Sequence, residues 1–234
     1  CRRGLFLYNM SYGAAILVLG QTGGTEAFDS LQNLYLRYYT GSPGTLMNKT
    51  SRVTAKLILL AMAEGRMEDG SVLPFLVRET WSADPELRET AAYALHGIAA
   101  RKAGGTAHGL VRSTIPVTPS MTGGKFQLMD LLEDWTDVPA YAFEPAHVSY
   151  LAPVFQDVVE KEISAFRAKP QLGATDFDDL SRLLDVLLTE QGDLQWAPVT
   201  AHLAAGSAAA SRTVIEEACR EKLAGVDEIL EACH

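Results

Sequence analysis

Apolar residues recur at helical spacing along this chain, most legibly from Gly70 to Lys102 (GSVLPFLVRETWSADPELRETAAYALHGIAARK). After Pro85, Leu87, Ala91, Ala94, Leu95 and Ile98 share one face at the 3.6-residue period, and Glu86, Glu89, Tyr93 and His96 form the opposite stripe. Before the turn, Val72, Leu73, Leu76 and Val77 give a shorter segment its own apolar side. Neither segment can stand alone in water, so the pattern predicts two packed helices. Asp84-Pro85 marks the start of the second. An Asp N-cap accepts a backbone N–H that the first turn leaves unpaired, and Pro at the first helical position loses nothing.

The same periodicity predicts helices over Leu5–Leu19, Glu26–Tyr39, Lys49–Glu64, Ser71–Trp81, Pro85–Lys102, Lys125–Trp135, His147–Ala168, Asp176–Gln191, Ala197–Ala205, Ala208–Ala224 and Val226–Cys233. Breaks fall at Gly41 to Gly44, Gly65 to Gly70, Gly104-Gly105, Pro116 to Gly124, Lys169-Pro170, Gly192 and Gly206. No run of β-branched residues alternates between tight-turn signals, so strands are not expected.

The Asp84–Ile98 segment, DPELRETAAYALHGI, resembles the second helix of a HEAT-like (armadillo-type) repeat, and the preceding segment carries the early proline of the first, Pro74. Over the rest of the chain the match is much weaker. The resemblance implies an all-α fold, an α-solenoid of stacked antiparallel helix pairs; an irregular helical bundle is the alternative. An apolar-Pro-apolar triplet recurs around Pro74, Pro116, Pro153 and Pro198, close to the period of about 40–47 residues of such repeats. Ile115 to Gly124 is the best candidate internal break. One continuous solenoid over residues 1–234 is still expected, because stacked repeats share a core with their neighbours.

Charge changes the picture. Residues 1–117 hold 12 Lys+Arg against 9 Asp+Glu, whereas residues 118–234 hold 8 against 20. The break thus divides a mildly basic half from an acidic one. Carboxylates repel nucleic acid and anionic membrane, so a basic protein or peptide is the natural partner of the acidic half. Cys1, Cys219 and Cys233 make neither a disulfide framework nor a zinc spacing, which favours an intracellular, cytoplasmic chain. Two sequons, at Asn9 and Asn48, point the other way, to secretion. Leu5–Leu19 is apolar but shorter than the roughly 20 residues of a membrane span, and reads as a buried helix. A start at Cys1 instead of Met reads as a processed product or a piece of something longer.

Motifs for chemistry are few. The five histidines make no HExxH and no helical pair. Deoxyhypusine hydroxylase, an enzyme built of HEAT-like repeats, uses His-Glu dipeptides as iron ligands, and this sequence has none. Asp176, Asp178 and Asp179 superficially resemble the Mg²⁺ motif of helical prenyl-transferring enzymes, but the spacing fails after Asp179, and helix capping explains them better. Phosphate-cradling glycine motifs and nucleophile elbows are absent. No metal and no cofactor is expected.

A non-enzymatic scaffold or adaptor is therefore the expected function, a subunit or fragment of a larger assembly that binds a protein or peptide on its helical surface. Its binding residues are expected to be Glu89, Tyr93 and His96 on one helix and Glu216, Glu217, Arg220 and Glu221 on a later one. Tyr is enriched at interface hot spots, which makes Tyr93 the natural anchor. The alternatives are an all-helical enzyme with an Asp-lined, Mg-dependent pocket between Asp176 and Asp185, and a nucleic-acid-binding HEAT-like protein. The latter resembles the alkylation-repair glycosylases and would have to use Arg88, Arg101, Lys102 and Arg112.

Overall fold

A computed structural model describes residues 2–38, 49–64, 69–104 and 136–169, together with positions 175, 176, 178, 179, 182 and 183. Among the described residues the chain is helical, without a strand. The elements are α1 (Arg2–Thr22), α2 (Thr25–Tyr38), α3 (Lys49–Glu64), α4 (Asp69–Glu79), α5 (Pro85–Lys102) and α6 (Pro145–Ala168). The chain divides into two compact units, Cys1–Tyr141 with α1 to α5 and Ala142–His234 with α6. The break expected at 115–124 lies outside the described residues. So do the helices expected at Lys125–Trp135, Ala197–Ala205, Ala208–Ala224 and Val226–Cys233, and most of Asp176–Gln191.

In the first unit α3 is the central helix. Leu57 to Ala63 is an unbroken apolar run with no polar face, and a helix hydrophobic all round must be covered all round. Every residue of that run is buried. α1, α2, α4 and α5 all pack against α3, and α2 also touches α4. From Tyr12 onward α1 buries one side only, through Gly13, Ile16 and Gly20, and leaves Ala14, Ala15 and Val18 exposed. This is less burial than the apolar sequence of Leu5–Leu19 suggests. No helix among the described residues is long and apolar enough to cross a membrane.

Two short-range devices set the angles between elements. Gly23 and Gly24, with φ of 73° and 83°, make the turn from α1 to α2, a backbone region that glycine enters without the steric cost of a Cβ. At the end of α4 the ladder tightens. Thr80, Trp81 and Ser82 donate their N–H groups three residues back, to Val77, Arg78 and Glu79. The α-helix therefore stops at Glu79, two residues short of the expected Trp81.

Between α2 and α4 the core is aromatic and polar together. The ring of Phe75 meets Phe28 and Tyr35 edge-on, at centroid distances of 6.0 and 5.4 Å. Edge-to-face contact suits the ring quadrupoles and adds to the area buried. The Tyr35 hydroxyl donates to the buried Glu79 carboxylate, giving both polar groups a partner away from water.

The second unit is described around α6. His147 sits in its first turn, and its Nδ1 accepts the backbone N–H of Glu144 at 3.1 Å. Val148, Leu151, Phe155, Val158, Val159 and Phe166 form its buried side, and Phe143 just before the helix is buried too.

Candidate functional site

α5 begins as its sequence predicts. The Asp84 side chain accepts the Glu86 N–H at 3.0 Å, with Asp84 in extended conformation and Pro85 opening the helix. The cap is tied to α3. Arg52 Nε donates to Asp84 Oδ2 at 2.7 Å, Arg52 Nη1 to Glu86 Oε1 at 3.0 Å, and Lys56 Nζ to Glu86 Oε2 at 3.5 Å. The Asp84 hydrogen bond raises the Arg52 pKa above its ordinary value despite the opposing effect of burial, and Glu86 adds to the rise. At the other end of α5 the Arg101 guanidinium donates to the carbonyl of Ala63, in the last turn of α3. A last-turn carbonyl has no partner within its own helix, and this one gains a charged donor. α5 is thus fastened to α3 at both ends.

Leu87, Ala91, Ala94, Leu95 and Ile98 are buried, as their periodicity predicts, and Thr90, Ala92, Gly97 and Ala99 are buried with them. Glu86, Glu89, Tyr93, His96 and Ala100, at spacings of three and four residues, form an accessible stripe, and Pro85, Arg88, Arg101 and Lys102 are accessible as well. Glu89 is fully on the solvent side, and Tyr93 and His96 are half-buried. All three predicted site residues of this helix therefore share one face.

Their half-burial has a specific cause that the sequence did not announce. Tyr141 lies against both rings, 5.3 Å from Tyr93 at 50° and 5.1 Å from His96 at 49° between ring planes. It belongs to residues 137–144, a stretch outside any helix. Its only sequence signal is the alternation of Tyr141 and Phe143 between Pro139 and Pro145. Tyr93 is thus packed on one side by Tyr141 and half-buried.

Of the basic residues that a nucleic-acid surface would need, Arg88 and Arg101 are engaged in helix-end contacts and Lys102 is exposed at the end of α5. Arg88 Nη1 donates to the Ser82 carbonyl at 2.8 Å, and Arg101 is held by Ala63. Arg112 lies outside the described residues, as do Glu216, Glu217, Arg220 and Glu221. Of the aspartates weighed for Mg²⁺, Asp176 pairs with Lys169 and Asp179 with Arg182. Among the described residues no group of three His, Cys, Asp or Glu side chains could hold a metal ion.

Chemically, the arrangement offers a helix face on which the Glu89 carboxylate lies one turn from the clustered rings of Tyr93, His96 and Tyr141. No family model, no curated protein and no solved structure matches the chain.

Proposed function

We propose that this chain is a non-enzymatic interaction scaffold, a HEAT-like α-solenoid that binds a protein or peptide on the outward stripe of α5 and serves within a larger assembly. The succession of contacts in the first unit supports the solenoid. α1, α3 and α5 pack in series, α2 packs on α4, and consecutive helices also touch. Such stacking gives an extended surface in which each helix pair leaves one stripe outward. The observation that carries the functional reading is the ordered set of Glu89, Tyr93 and His96 on a helix fixed at both ends, with Tyr141 bracing the rings. A preordered surface loses less side-chain entropy on binding, and Tyr supplies large contact area with few rotatable bonds.

The test places a photocrosslinking amino acid at position 100, the next position of the stripe after His96, so that Glu89 stays intact in the full chain, with a control at the exposed Asn33 of α2. Irradiation in extract of the source cells is expected to give discrete protein adducts from position 100 that disappear with Tyr93→Ala. Adducts identical to those from position 33, and indifferent to Tyr93, would discard the reading.

A further inference from the structure

Among the described residues, the α5 stripe carries a charge with no ion-pair partner beside its rings, and that combination selects a ligand. Glu86 is already neutralised by Arg52 and Lys56. Arg88 and Arg101 are spent on backbone carbonyls. Glu89, one turn on from Glu86 and exposed, makes no ion pair among the described residues. Tyr93 follows at i+4, which brings the two Cβ atoms within about 5–6 Å. Tyr141 then lies 5.3 Å beyond, centroid to centroid.

A group that fits must carry positive charge for the carboxylate and tolerate an aromatic face. An anion is repelled by Glu89, and a purely apolar side chain would cover the carboxylate without pairing it. Lysine supplies charge as a compact, strongly hydrated point. The guanidinium of arginine is planar, more weakly hydrated, able to fork onto a carboxylate and to stack on a ring at once. We infer that the Glu89–Tyr93 turn of α5, backed by Tyr141, receives an arginine side chain from the partner protein. This rests on the reading of α5 as a docking stripe and names the chemistry that the stripe recognises.

The experiment titrates the full chain with N-acetyl-arginine amide and follows the ring signals of Tyr93, His96 and Tyr141 by NMR. Parallel titrations use N-acetyl-lysine amide and N-acetyl-citrulline amide, the latter isosteric with arginine but uncharged. Arginine amide is expected to give saturable shifts and lysine amide a weaker response; citrulline amide should give none. Glu89→Gln, an exposed change that leaves the core alone, should weaken the arginine response by about 1.5- to fivefold, the scale of a single exposed ion pair. Tyr93→Phe keeps the ring and should retain the response. Equal shifts from arginine and citrulline, or an unchanged response in Glu89→Gln, overturn the inference. Discrete crosslinks from position 100 without an arginine response would overturn the ligand chemistry and leave the scaffold standing; the loss of both removes both.

Discussion

Gly20 is the residue whose neighbourhood is least forgiving. A Cβ built there would lie 2.3 Å from the Ala61 carbonyl oxygen and 2.9 Å from its carbonyl carbon. Backbone cannot step aside as a flexible side chain can, so α1 approaches α3 only because position 20 carries no side chain. Gly20→Ala sets two effects against each other. Alanine is the better helix former by about 1 kcal/mol, whereas overpacking of this kind costs typically 1–3 kcal/mol and occasionally more. Because the clash is with main chain, the second should prevail, and urea unfolding should show a lower midpoint than the parent. A midpoint unchanged or raised would mean that α1 does not pack closely on α3. A Gly-to-Ala change away from such an approach, at the exposed Gly70 with nothing within 4 Å, is the internal control.

At the scale of elements, the helices written most plainly in the sequence are those with a period and a cap together. Pro85–Lys102 has both, and its ends coincide with expectation. α4 lacks a stop signal of its own, and the tightening of its last turn at Thr80 shortens it. Within the site, Glu89, Tyr93 and His96 were legible because periodicity assigns faces. Tyr141 was not, because a contact between a non-helical stretch and a helix more than 40 residues earlier leaves no periodic trace. The Tyr35–Glu79 bond escaped for the same reason: the two residues lie on different helices, and only tertiary packing brings them together. The α5 start yields an ordered prediction. Asp84→Asn keeps a capping oxygen but gives up the charge paired with Arg52; Asp84→Ala loses both. Loss of an Asp cap costs about 0.5–2 kcal/mol, and the ion pair, with Arg52 partly exposed, adds less than a buried one would. Thermal unfolding should therefore rank the parent above Asp84→Asn, and Asp84→Asn above Asp84→Ala. Equal midpoints for the two variants would show that the side-chain oxygen does not cap the helix.

Across the whole molecule, the scaffold and the helical enzyme differ in what a divalent cation should do. An Asp-lined Mg²⁺ pocket binds its ion only when folded, so added Mg²⁺ would raise the unfolding midpoint by mass action, progressively with concentration. The acidic half, with 8 Lys+Arg against 20 Asp+Glu, would also respond to any salt, because screening relieves repulsion among like charges. The comparison must therefore be made at matched ionic strength, with NaCl in place of MgCl₂. Two of the carboxylates proposed for such a pocket are already balanced, Asp176 by Lys169 and Asp179 by Arg182. Each ion pair would have to break before the oxygen could ligate a metal, and metal binding must repay that loss. The expected outcome is an identical midpoint in millimolar MgCl₂ and in NaCl of the same ionic strength. A Mg²⁺-specific rise that disappears in Asp176→Asn or Asp179→Asn would put a metal site in the second unit and overturn the non-enzymatic reading. It would leave the α5 stripe untouched, since Glu89, Tyr93 and Tyr141 belong to the first unit.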